Sequence, residues 1–99
     1  MLMALTESIE YDKIEVVGEY NIVQVRKKNA VKKDGVEIAS SFERYSLNPG
    51  SLDGSDNLVD RDLSAEPEKV KSICNAVWTD DIKAAWKARL IADKSSYGL

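Results

Sequence analysis

Through the first half of the chain apolar and polar positions alternate, and the breaks in that alternation divide it into three runs. From Ile9 the alternation passes into Ile14, Val16 and Val17 and stops at Gly18, which predicts a first strand over 9–17 and a turn at Gly18-Glu19. The next run, 20–32, is rich in β-branched residues, and a third covers 36–47. Between them stands Asp34-Gly35, the strongest short hairpin signal, because a type I′ turn needs positive φ at both central residues. Beyond residue 65 the period changes. Val70, Ile73, Cys74, Val77 and Trp78 fall at i, i+3, i+4, i+7 and i+8, the stripe of an amphipathic helix over 67–78 with Pro67 in its first turn. Thr79 before Asp80 and Asp81 reads as a second N-cap with acids favoured by the helix dipole. It opens a helix over 79–93 whose stripe is Ile82, Ala85, Trp86 and Leu90, and after Asp93 the chain is expected to fray through Lys94-Ser95-Ser96-Tyr97-Gly98-Leu99. Residues 48–65, with Pro49-Gly50 and Asp53-Gly54, read as a long loop, a feature that in compact domains is commonly functional, mobile or ordered by a partner.

The order predicts an α+β fold: a three-stranded antiparallel meander, centred on the Asp34-Gly35 hairpin, packed against two C-terminal helices. A two-residue loop at Asp34-Gly35 sets Lys33 opposite Val36, Lys32 opposite Glu37, Val31 opposite Ile38, Arg26 opposite Glu43 and Gln24 opposite Tyr45. That register gathers two opposite-charge pairs on one face and Val23, Val25, Val31, Ile38 and Phe42 on the other, and a slip of one residue would lose both. The expected core is Ile14, Val16, Val23, Val25, Val31, Ile38 and Phe42 from the sheet, with Val70, Ile73, Cys74, Val77, Trp78, Ile82, Trp86 and Leu90 from the helices. The middle of the apolar sheet face is polar, and a three-stranded sheet has two open edges, so part of it is expected to meet another chain.

Composition narrows the chemistry. At 99 residues the chain is expected to be one domain, 1–99. It has no histidine, which excludes Ser-His-Asp and Cys-His nucleophilic sites, histidine-ligated zinc and the usual neutral-pH proton shuttle. A single cysteine, Cys74, allows no intrachain disulfide and points to a reducing compartment. The apolar start Met1-Leu2-Met3-Ala4-Leu5 is too short for a signal segment, and no run is long enough to span a membrane. Met1-Leu2 before a second Met reads as an added dipeptide or an alternative start.

Four features carry candidate chemistry. Arg26, Lys27, Lys28, Lys32 and Lys33 form the densest charge cluster; it reads as a solvated strand edge and turn or as a basic hairpin gripping phosphates. Of these, Arg26, Lys28, Lys32 and Lys33, together with Tyr45, are the expected partner-binding residues. The stretch from Asp53 to Asp62 fails as a calcium loop, since Leu58 replaces the required Gly and Ser64 the closing Glu. The carboxylates Glu66, Glu68, Asp80 and Asp81 are accounted for by helix starts, and Cys74, on the apolar stripe, by packing. No catalytic constellation, metal site or cofactor motif emerges, and a non-enzymatic protein is expected.

The stretches Asp12-Lys13-Ile14-Glu15-Val16-Val17, Ile22-Val23-Gln24-Val25-Arg26, Asp34-Gly35-Val36-Glu37-Ile38, Phe42-Glu43-Arg44-Tyr45 and 70–79 resemble small uncharacterised proteins of tailed, marine-type bacteriophages. The resemblance covers about residues 9–90 and is one of layout, so no functional residue is carried over from it. It implies a virion or assembly component, of the tail or fibre, located in the particle or the host cytoplasm. Its partners would be copies of itself, in a homo-oligomer, or other virion proteins. The competing expectation is a small regulatory protein that binds nucleic acid or a host protein through the basic hairpin 26–33. The net charge of −3 is the sum of that basic arm and an acidic 53–68 segment, a division suited to head-to-tail contact between copies.

Overall fold

The computed structural model describes residues 5–96, with side chains to Lys94. Three long strands, β1 (Leu5–Val17), β2 (Ile22–Lys33) and β3 (Val36–Leu47), form an antiparallel sheet in the order β1-β2-β3. Two short strands, β4 (Gly50–Leu52) and β5 (Leu58–Asp60), pair as a separate hairpin, and α1 (Glu68–Val77) and α2 (Asp80–Ser96) follow. The fold is therefore α+β, a meander followed by two C-terminal helices. The expectations for Met1-Leu2 and for Tyr97-Gly98-Leu99 fall outside the described residues, while the fraying expected from Lys94 is corrected: α2 continues as regular helix through Ser96.

Asp34 and Gly35 take φ of 52° and 84°, the pair of positive values a type I′ turn needs. Lys33 and Lys32 face Val36 and Glu37 as the turn dictates, but the register then shifts by one between Val31 and Lys32. Ile38 is the extra residue of this bulge, so Val31 meets Ala39, Arg26 meets Arg44, Gln24 meets Ser46 and Val25 meets Tyr45. The expected pairs Val31–Ile38, Arg26–Glu43 and Gln24–Tyr45 are thus displaced. One consequence is that Phe42 leaves the face of Val25 and Tyr45 joins it. A second bulge, at Asp12 in β1, shifts the β1–β2 pairing between Tyr11 and Lys13.

One sheet face carries Ile14, Val25 and Tyr45 in one row and Val16, Val23 and Leu47 in the next. Over this base sits α1, whose Val70 and Cys74 join Val23, Val25 and Trp78 in a buried cluster flanked by Tyr11, Ile14, Tyr45, Leu47, Leu63, Val77 and Ile82. Asn21 ties helix to sheet. Its side-chain amide donates to the Val77 carbonyl at 2.9 Å, one of the orphan acceptors at the end of α1, and its own carbonyl accepts from Trp78 Nε1 at 2.8 Å. Its φ of 51° is a left-handed conformation that Asn tolerates better than most residues. Thr79 Oγ1 accepts from the Ile82 amide at 3.3 Å, an N-cap bond at the start of α2.

The segment expected as a loop over 48–65 holds the β4–β5 hairpin. Its turn is built by Asp53, whose carboxylate accepts the amides of Ser55 and Asn57 at 2.8 and 3.0 Å. Gly50 is required at its base, since a Cβ there would collide with the Val59 carbonyl oxygen. The hairpin packs along α2: Trp86 Nε1 donates to Gly50 O at 2.8 Å, and Lys83 and Lys94 pair with Asp60 and Asp56. Trp86 also meets Tyr20 edge-on at 5.4 Å between ring centroids. Trp86 thus closes a second, half-buried cluster with the hairpin instead of joining the sheet core.

Candidate functional site

The helices cover only the base of the sheet. Strands of twelve and thirteen residues run about 40 Å, and the molecule measures 66 × 27 × 22 Å with a radius of gyration of 18.5 Å, against about 13 Å for a compact chain of this length. The remainder of the meander, from Leu5 to Glu10 in β1 with its partners through the Asp34-Gly35 turn, is a single-layer arm.

On the core side this arm continues in rows Ile9-Asn29-Ser41, Glu7-Val31-Ala39 and Leu5-Lys33-Val36. The first two of those rows line most of a hollow of about 480 Å³, Ile9 is exposed in it, and Leu5 and Val36 are exposed in the row beyond. The opposite face carries Arg26, Lys28, Arg44 and Phe42. Three expected core residues are corrected here. Ile38 is 57% exposed because it is the bulged residue on an arm that no helix reaches, and Phe42 is 44% exposed because the bulge turns it away from the core. Val16, also 44% exposed, lies on the outer strand β1 while α1 centres on β2. Val31 is half-buried, as are Ile73, Val77, Ile82, Trp86 and Leu90 on the helices.

The expected basic cluster is divided by internal ion pairs. Arg26 donates to both oxygens of the bulged Asp12 at 3.0 and 2.7 Å, and its guanidinium stands 4.6 Å over the Phe42 ring. The hydrogen bond from Arg26 holds the Asp12 carboxyl below its usual range. Lys28 pairs with Glu37 at 2.9 Å and Lys27 with Glu43 at 3.8 Å. Lys32 and Lys33, beside the turn, form no ion pair among the described residues. Tyr45 is half-buried, and its hydroxyl donates to Glu66 at 2.5 Å. Burial, followed by the carboxylate of Glu66, pushes its phenol well above the ordinary value. Of the five residues expected at a partner surface, Lys32 and Lys33 are half-buried beside the turn without an ion pair among the described residues, whereas Arg26, Lys28 and Tyr45 are engaged within the chain.

Arg44 was not among the expected site residues. It stands beside Arg26 across the β2–β3 pair, is exposed, and has no carboxylate partner among the described residues. No sequence signal singles it out, because the unshifted register set Glu43, not Arg44, opposite Arg26. Asp53 is committed to its own turn, and no cluster of three or more His, Cys, Asp or Glu side chains suited to a metal occurs among the described residues. Cys74 is buried, and burial pushes its thiol up to about 11, so it stays protonated at neutral pH. Among the described residues no helix is long and apolar enough to cross a membrane. No family model, no curated protein and no solved structure matches the chain.

Proposed function

We propose that the chain is a non-enzymatic structural or assembly protein of a tailed-phage particle, a tail, fibre or other virion component. It acts through contacts with copies of itself or with other virion proteins. The observation that carries this reading is the arm: a sheet whose base is covered by α1 and whose distal half exposes Leu5, Ile9, Val36, Ile38 and Phe42 without a second layer. Apolar side chains on an uncovered sheet are costly to leave in water, at about 25 cal/mol per Å², and a partner that covers them recovers that energy. The resemblance in layout to small phage proteins supplies the particle context. The ion-paired state of Arg26, Lys27 and Lys28 favours a protein partner over phosphates, since each internal pair would have to open to meet a nucleic-acid backbone.

Density-gradient separation of particles from the producing lysate, followed by mass spectrometry, tests the reading. The chain is expected in the particle or precursor-particle fractions at a fixed copy number. Recovery only as free protein would overturn it.

A further inference from the structure

We propose that two copies of this chain join through their β3 edges, antiparallel and centred on Ser41, to make one continuous six-stranded sheet. The proposal rests on the reading of the protein as an assembly component and names one surface and one occupant for it.

The two open edges of the sheet differ in how they are guarded. β1 carries Glu7, Glu10, Asp12, Lys13 and Glu15, is bent by the bulge at Asp12, and has the Tyr11 carbonyl taken by Lys69 Nζ at 2.8 Å. Charges, bulges and covering side chains are the devices that keep an edge from pairing. β3 also has a bulge and carries Glu37, Glu43 and Arg44, but among the described residues no side chain hydrogen-bonds to its backbone as Lys69 does to that of β1. Nine consecutive residues from Val36 to Arg44 are exposed, none is Pro or Lys, and alternate N–H and C=O groups of the strand point away from β2.

Charge and shape select the register. In a two-fold antiparallel pair, facing residues must lie on the same side of the sheet. Centring on Ser41 sets Ser40 opposite Phe42 and Ala39 opposite Glu43 of the second copy. The Ile38 bulge absorbs one residue, and Glu37 then falls opposite Arg44. Glu37 faces Lys32 and Arg44 faces Arg26 within the chain, so both lie on the same side of the sheet. The symmetry makes this ion pair twice. It gives Arg44 the carboxylate it lacks among the described residues, while Glu37, held by Lys28 through one oxygen, offers the other. The same register sets the two Phe42 rings diagonally across the axis, within aromatic reach, so that each covers part of the other's exposed surface. Centring on Ser40 or Phe42 keeps the faces matched but separates Glu37 from Arg44.

Sedimentation velocity on the full chain, with charge reversal, tests this. The wild type is expected to be dimeric, and Arg44→Glu or Glu37→Arg to raise the dimer dissociation constant at least about tenfold. The double reversal Glu37→Arg/Arg44→Glu restores the dimer. Circular dichroism confirms that each variant is folded. Ser41→Cys should form an interchain disulfide on mild oxidation, because directly facing strand residues lie within disulfide range, and buried Cys74 contributes none. A wild type that stays monomeric, single reversals that leave the dimer unchanged, a double reversal that fails to restore it, or no cross-link in the Ser41→Cys variant would each overturn the β3 pairing. Particle incorporation is read separately: a chain found in particles yet monomeric in solution overturns the dimer and leaves the assembly reading standing.

Discussion

Asp12, Tyr45 and Cys74 are held away from their ordinary ionisation by the fold, and they act at opposite ends of the pH scale. The Tyr45 phenol is raised by burial and by its bond to Glu66, and the Cys74 thiol is raised to about 11 by burial. A group whose folded-state pKa is raised contributes stability that is complete below its unfolded value and is lost as pH climbs through the folded one. For Cys74 the loss therefore begins above about 8.5 and for Tyr45 above about 10. Asp12 has the opposite sign: its carboxyl is lowered by the hydrogen bond from Arg26, so its contribution is present above about 3.9 and lost as pH falls further. Denaturant midpoints measured across pH should form a plateau with both limbs. Tyr45→Phe should reduce the alkaline decline above about pH 10 and leave the acid limb in place. A Tyr45→Phe alkaline limb identical to wild type would show that the phenol is not the group responsible.

Where one element meets the next, Asn21 is the joint between sheet and helix. Asn21→Ala removes the bond to the Val77 carbonyl and places a Cβ-bearing residue with no side-chain compensation at φ 51°. The loss should be about 1–3 kcal/mol in urea unfolding. Asn21→Gly keeps the left-handed backbone at ease and should lose less, so an equal loss in both variants would assign the whole effect to the amide. This joint, like the β4–β5 hairpin, was not legible in the sequence, and the reasons are physical. A single Asn in a turn gives no sign of a helix end 56 residues away, and three-residue strands are too short for a period of two to show. The long elements were legible because their patterns repeat: the Asp34-Gly35 turn, the three strands and the i, i+3, i+4 stripe of α1 each constrain many positions together. The register failed at Ile38, since a bulge is a backbone event without a composition signature. That one-residue error reassigned Phe42, Tyr45 and Arg44 to opposite faces, and with them the candidate site.

At the scale of the whole molecule, the contacts fall into two classes of range. The meander is made of successive hairpins, joined by the Gly18–Asn21 and Asp34-Gly35 turns, so all its strand pairings are between neighbouring segments. Its attachment to α1, through Val23, Val25 and Asn21, joins positions some fifty residues apart, and closing a loop of that size costs roughly 3.5 kcal/mol beyond a constant. The β4–β5 turn at Gly54-Ser55 lies inside that loop, and both residues are exposed. A single cut there would break one peptide bond and leave the buried cluster of Val23, Val25, Val70, Cys74 and Trp78 intact, split between two fragments. The uncut chain unfolds at a midpoint independent of its concentration as long as it is monomeric. In the cut protein the same contacts become an association between two molecules, whose midpoint falls with every dilution. The connection through residues 48–67 thus serves as the tether that holds the helices at high local concentration beside the sheet whose Val23 and Val25 they bury.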